Sequence, residues 1–465
     1  MKGKIIIDGN KEKVFANSNL IKLISSEFEM HNNLILCNNH NKTIKRTKKS
    51  SNINLNKFYG SAIYSINSNL NIYGGEITNN IHEIYIDEKN NESKLPEIID
   101  NDFLFCVRGV ALYISYKSKL NIYDIKIHNN KGINNSQVYT NDNSTNLKVK
   151  NSCIHQNCKG IGIFGCKNSE INLYKGEISN NIAINNSKTF LISPKNQKTT
   201  KISEIYCCIY GCGIYLEKSK LLMNEAFTLK NNTCELNTNL NIDKNCFVEK
   251  SIHCAIRGGQ IYMNDCGINI KGGIIQNSKN ITNIKTNNFD MDTIIKDKKI
   301  SDDCLGGGIN LTNCQNIEIS NIKIEKCNSS KGGAIILNSC KGLIADSNFE
   351  NNIAKRFGGA IFINKNSDIK LMNNKILNNF TQEGSGGGIY AYGNILIDGP
   401  NTLISDNIAE TFGGGIMIKE KGVIKNGKIC HNKALKNSGG GIRVDGTLEL
   451  IKGKICKNWA NINGG

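Results

Sequence analysis

The chain has 465 residues, 58 Lys plus Arg against 40 Asp plus Glu for a formal charge of +18, 18 cysteines and only 3 prolines. No run approaches the ~18 to 20 apolar residues of a membrane-spanning helix, and no apolar leader follows Met1-Lys2-Gly3-Lys4. The near absence of proline leaves almost every backbone donor free for strand ladders, and no long helical segment is visible.

In chain order, Ile5-Ile6-Ile7-Asp8-Gly9 reads as an opening strand and turn, and the basic run Lys42 to Lys49 as a solvated loop. From there a glycine-led turn followed by an aliphatic strand recurs eleven times, its third position falling at Ala62, Ala111, Gly162, Gly213, Gln260, Gly308, Ala334, Ala360, Gly388, Gly415 and Gly441. The first steps are 49, 51, 51, 47 and 48 residues, and the later ones 26, 26, 28, 27 and 26. A fixed period of this size marks one supersecondary unit stacked on its neighbours.

A second signal, an apolar residue followed three positions later by asparagine, sits 17 to 19 residues after each third position. It ends at Asn80, Asn130, Asn181 and Asn232, continues through the substitutes Ser278 and Cys327, and returns at Asn352, Asn379, Asn407, Asn432 and Asn458. Alternating runs such as Ile317-Glu318-Ile319 and Ile369-Lys370-Leu371 lie between the two signals and read as half-buried strands. Three short strands per coil with sharp corners predict an all-β fold, a right-handed parallel β-helix of about 25–28 residues per coil. Equivalent residues then stack about 4.8 Å apart. Isoleucine fills the tube, glycine supplies positive φ and close approach, and asparagine tolerates left-handed backbone and bonds its copy on the next coil.

The double steps place extra length between the asparagine and the next glycine turn, roughly at 81 to 106, 131 to 158, 182 to 208, 233 to 254 and 279 to 303. Each insertion reads either as a loop or as a degenerate coil. Leu147-Lys148-Val149 with Ile154 and Asn157 favours a coil, whereas segments such as Ser193-Pro194-Lys195-Asn196 favour loops lining one rim, the expected functional surface. The chain therefore divides into opening coils at 1–59, coils with aligned insertions at 60–305 and regular coils at 306–465, with another glycine turn due after Asn463-Gly464-Gly465, as in a truncated chain.

Gly332-Gly333-Ala334-Ile335 with Phe349 and Asn352 resembles the repeats of the polymorphic outer-membrane protein family, and the likeness extends over roughly 60 to 465. Most other turns depart from it, reading Gly-Gly-Gly-Ile, with Ile or Leu for Phe. The resemblance implies a pectate-lyase-like β-helix that serves surface display and adhesion, at the cell surface or secreted. A cytoplasmic location is the alternative, since no leader is seen.

Clustered carboxylates would instead mark a polysaccharide lyase or glycoside hydrolase. Asp302-Asp303 is the sole adjacent Asp pair and the only catalytic candidate, while Asp87, Asp100 and Asp102 read as loop polarity. His253, Arg257 and Asp265 show no matching pattern, and His82, His128, His155 and His431 read as exposed corner residues. Cys266, Cys314 and Cys340 share one repeat position, Cys430 and Cys456 another, and Cys106, Cys158, Cys208, Cys254 and Cys304 close the insertions. The expectation is a ladder of free thiols, with disulfides at the loop bases as the alternative. No spacing forms a paired metal framework, so no metal or cofactor is expected. The anticipated function is a non-catalytic scaffold whose partners are glycans or a cell-surface receptor rather than nucleic acid, with an enzyme second and a structural fibre third.

Overall fold

A computed structural model describes residues 5–8, 19–31, 34–45, 62–86, 103–140, 153–191, 200–242, 246–286, 300–301 and 304–465, and no helix occurs among them. No helix long and apolar enough to cross a membrane is therefore present among the described residues, which says nothing of a β-barrel. The chain is a parallel β-helix solenoid.

The first strands of the coils form one 12-stranded parallel sheet, and from Gly109 onward each is entered from a glycine corner. The stacked residues there are Ile21, Ile63, Leu112, Ile163, Ile214, Ile261, Ile309, Ile335, Ile361, Ile389, Ile416 and Ile442, and they define coils 1 to 12. From Ile63 onward their spacing repeats the steps read from the glycine turns. Eleven coil spacings make a tube about 53 Å long. The opening strand Ile5–Asp8 pairs with Leu34–Cys37 at its start.

Each narrow coil carries four strands rather than the expected three. Coil 8 contributes Ile335–Asn338, then Lys341–Ala345 and Asn348–Glu350 in a 23-stranded sheet, then Ile353–Phe357 in a six-stranded sheet. The fourth strand is short and lies directly after the corner asparagine, where sequence alternation is too brief to register. Inward residues such as Ile335, Leu337, Ile344 and Phe349 join one continuous core along the tube. Full burial of each contributes about 1.5–3 kcal/mol.

The turn glycines divide their work. The first, from Gly109 to Gly439, holds φ between 53° and 76°. The second has no room for a side chain in the narrow coils, since a Cβ on Gly333 would lie 2.1 Å from the carbonyl oxygen of Gly359. At the asparagine corner the left-handed residue precedes the stacking one: Asn79, Asn129, Asn351 and Asn378 have φ of 55° or 56°. Left-handed tolerance and amide stacking, expected of a single asparagine, are thus split between neighbours.

Coils 1 to 6 are wide. Their insertions are neither loops nor extra coils in the described residues. In coils 2 to 6 each leaves the corner on an outbound strand and comes back on a return strand, and both pair in register with neighbouring coils. Lys131–Asn135 pairs with residues starting at Ile81 and Ile182. Cys153–Lys159 pairs with Phe103–Arg108 on one side and with Thr200–Tyr206 and Ile209–Tyr210 on the other. The two sheets enclose a second core that includes Ile84, Val107, Ile161, Ile205, Leu236 and Ile252. Farther out, Gln156 is fully buried, donating from Nε2 to Ser136 Oγ at 2.9 Å and accepting from Thr189 Oγ1 at 2.7 Å. Lys42 to Lys45, expected in a loop, belong to strand His40–Lys45, the first outbound strand.

Candidate functional site

Two features of the wide half present chemistry to solvent. The first grows from a short repeated pattern that the glycine spacing had obscured: Leu70-Asn71-Ile72-Tyr73, Leu120-Asn121-Ile122-Tyr123 and Ile171-Asn172-Leu173-Tyr174. Alternation sends Leu or Ile into the tube and the amide outward, while the tyrosine stands at the following corner. Parallel in-register pairing then aligns the copies. His31, Tyr73, Tyr123 and Tyr174 stack on four consecutive coils with centroids 4.9 to 5.0 Å apart. Tyr73 is 37% and Tyr123 41% exposed, so the row presents ring edges and hydroxyls.

The amides lie alongside. Asn121 donates to Asn71 Oδ1 at 2.8 Å and Asn172 to Asn121 Oδ1 at 2.9 Å, which fixes their orientation and leaves further donor and acceptor capacity on half-buried Asn71 and Asn121, while Asn172 is buried. Asn172 also donates to Glu170 Oε1, and together with Lys119 this holds the Glu170 carboxyl below its ordinary value.

The second feature is a notch where the return sheet meets the first strands of coils 2 to 6. Tyr64, Tyr113, Phe164, Tyr215 and Tyr262 point away from the tube core and stack with centroids 4.9 to 5.4 Å apart. The glycine corner folds the outer face of the return sheet against them, burying these rings with Cys208, Tyr210 and Ala255. Arg108, Lys159, Tyr210 and Arg257 form one register row on that wall. The three cations are half-buried at the notch. Lys159 Nζ lies 5.0 Å from the Tyr210 centroid and 4.9 Å from that of Tyr215, and the Arg257 guanidinium lies 5.8 Å from Tyr210 on the other side in register. Burial, reinforced by neighbouring Arg108, lowers the Lys159 pKa. Tyr215 donates to Glu217 Oε2 at 3.1 Å, and burial followed by that carboxylate raises its phenol well above the usual range.

The repeat residues occupy the expected places. Gly332 and Gly333 form the corner, Ala334, Ile335 and Phe349 are fully buried, and Asn352 donates to Asn379 Oδ1 at 3.1 Å and to Ile324 O at 3.0 Å. The same bonds repeat from Asn80 through Asn130 and Asn181 to Asn232, and from Asn352 to Asn458. Ser278 and Cys327 interrupt the series.

Asp302 and Asp303 lie outside the described residues, as do Asp87, Asp100 and Asp102. His431 is an exposed corner residue and His128 lies 3.7 Å from Glu76. His82 overturns the exposed reading: it is fully buried on the outbound strand, without a hydrogen-bond partner, and burial lowers its pKa to about 4. Alternation explains the inward placement, since its register partners Gly132, Ala183 and Cys234 face the same core.

Sixteen cysteines are free among the described residues. Cys266, Cys314 and Cys340 line the tube core, and Cys430 pairs in register with Cys456. The insertion cysteines do not form one row, because Cys158 and Cys254 face the second core and Cys208 faces the notch. Burial pushes Cys266 up to about 12 and Cys327 to about 11, far from the thiolate form that reacts or binds metal. Among the described residues no group of three or more His, Cys, Asp or Glu is arranged to hold a metal ion.

No protein-family model matches this chain, and neither the curated proteins nor the solved structures contain a significant match.

Proposed function

We propose that this solenoid is a non-catalytic scaffold for surface display or adhesion, holding an extended glycan along the wide half. The observation that carries the reading is the pair of parallel rows, rings from His31 to Tyr174 on coils 1 to 4 beside amides from Asn71 to Asn172 on coils 2 to 4, both at the coil spacing. A polymer lying along the tube axis meets a ring at each of coils 1 to 4 and an open amide at coils 2 and 3, so weak contacts sum on a surface already rigid before binding.

Binding of the purified chain to a glycan array and to acidic polysaccharides, with released sugar ends followed in the same samples, tests the reading. Saturable binding without product is expected. Tyr123→Ala should weaken it about tenfold by removing the central ring of the row. New sugar ends that disappear in the Asp302→Ala, Asp303→Ala double variant would replace the scaffold by the lyase or hydrolase reading.

A further inference from the structure

The notch on the opposite side of the glycine corner carries different chemistry from the ring row. We propose that it is an oxyanion site, taking a carboxylate or sulfate borne by an acidic polysaccharide between Lys159 and Arg257 above the edge of Tyr210.

The register places these three side chains on successive coils, a cation on each side of one ring. Both cations lie within 5.8 Å of that ring centroid, and neither makes an ion pair among the described residues. Their neighbours are aromatic side chains, and Lys159 Nζ donates to one of their hydroxyls, Tyr215 Oη, at 3.3 Å. Glu217 already accepts from Tyr215 at 3.1 Å, and Glu204 accepts from Tyr206 at 2.7 Å. The Arg257 Nε is buried and meets no acceptor. Two cations held half out of water on an aromatic wall, with a guanidinium donor unfilled, call for an anionic acceptor from outside. Rings and paired strands fix both stems, so the site needs little rearrangement to receive it.

A carboxylate or sulfate of about 2–3 Å breadth, accepting from both heads, bridges two coil spacings of about 4.8 Å each once the long side chains lean inward. The aromatic floor suits the apolar face of a sugar ring beside its charged group, which favours a sugar-borne anion over a free one. This inference rests on the glycan reading for the carrier alone, not for the anion.

Binding of four probes by the intact chain at low salt tests it: oligogalacturonate, a heparin-derived oligosaccharide, a neutral cello-oligosaccharide of equal length, and sodium sulfate. At least one acidic oligosaccharide should bind tenfold or more tightly than the neutral one. Arg257→Gln and Lys159→Gln should each weaken that binding at least fivefold, with Arg257→Lys recovering part of it and the distant Arg443→Gln leaving it unchanged. Circular dichroism and the melting midpoint separate a misfolded variant from a binding defect. Equal affinity for wild type and Arg257→Gln overturns the proposal, as does sulfate binding that depends on Arg257 while no oligosaccharide binds. Neutral-glycan binding lost in Tyr123→Ala but intact in Arg257→Gln would support the ring row by itself, so the two readings can fail separately.

Discussion

Coils 1 to 6 and coils 7 to 12 share the same first three strands and the same core, yet one half is about twice as long per coil as the other. The difference is mirrored, with one exception, at the second position of the glycine turn. At the turns entering wide coils 3 to 5 it is Val110, Ile161 or Cys212, each in the second core, whereas Gly259, at the turn into the last wide coil, already shows the narrow pattern, a Cβ there lying 2.6 Å from Gly307 O. In narrow coils it is Gly307, Gly333, Gly359, Gly387 or Gly414, where a Cβ would lie 2.1 to 2.4 Å from the next coil's carbonyl oxygen. Once the outbound strand must turn back at once, it packs under the corner and leaves no room. When the chain detours, the space opens and an apolar side chain fills it.

Exchanging these residues gives the largest expected effect. Gly333→Val drives a branched side chain into the Gly359 carbonyl and the Ile353 backbone and should cost about 4 kcal/mol or more in urea denaturation, or prevent folding. The reverse change in the wide half, Ile161→Ala, leaves a cavity in the second core and should cost about 3 kcal/mol without clash. Similar small costs for both would break the comparison.

The second core also makes the wide half sensitive to acid. His82 has a folded pKa of about 4 against an ordinary 6.5, so the unfolded chain binds more protons between those values. Stability from this group is therefore complete above pH 6.5 and declines as pH falls toward 4, by about 3 kcal/mol at the end. Denaturation midpoints of wild type and His82→Leu at pH 7.5 and 4.5 should differ in their pH response by about 2 to 3 kcal/mol, with the leucine variant the flatter.

Within the narrow half, Asn407→Ala removes the donor to Ile376 O and Asn432 Oδ1 and the acceptor for Asn379, all buried. A loss of about 2–3 kcal/mol is expected. At the boundary between halves the same chemistry can be added. Cys327→Asn supplies the missing amide beneath Asn352, and a gain of about 1 kcal/mol should appear as a higher melting midpoint. No gain would mean that the Cys327 corner cannot accept the geometry of its neighbours. Thiol titration of the unfolded, unreduced protein should return 18 equivalents, since the described cysteines are unpaired.

Much of this was legible beforehand. The glycine and asparagine spacings placed Ile63, Leu112 and Ile163 in one row before any coordinates, because identical side chains can stack only in register. The fate of the insertions was not legible. Their strands lack glycine punctuation, and the alternation in Cys207 and Ile209 is masked by neighbouring Cys208 and Tyr210, which are buried on the other face. Valine, isoleucine or cysteine at the second turn position was the available signal. The ring row was hidden for another reason: its tyrosines recur at 50 and 51 residues, beyond the period set by the regular coils. His82 misled because a histidine after asparagine looks like corner polarity, whereas strand alternation turns it inward.

The break in the amide series at Ser278 and Cys327 falls where coil width changes, between coils 6 and 7. In a solenoid each coil draws its stability from the two beside it, so the weakest junction sets how much of the array opens together. Hydrogen-bonded amides that tie Asn80 to Asn232, and Asn352 to Asn458, make two cooperative blocks joined end to end by backbone pairing, aliphatic contacts and the bonds from Asn280 to Asn328 O and from Asn328 N to Ser278 Oγ. Under load or heat the halves can melt one at a time, so that the narrow shaft loosens while the ring-bearing half stays folded, or the reverse.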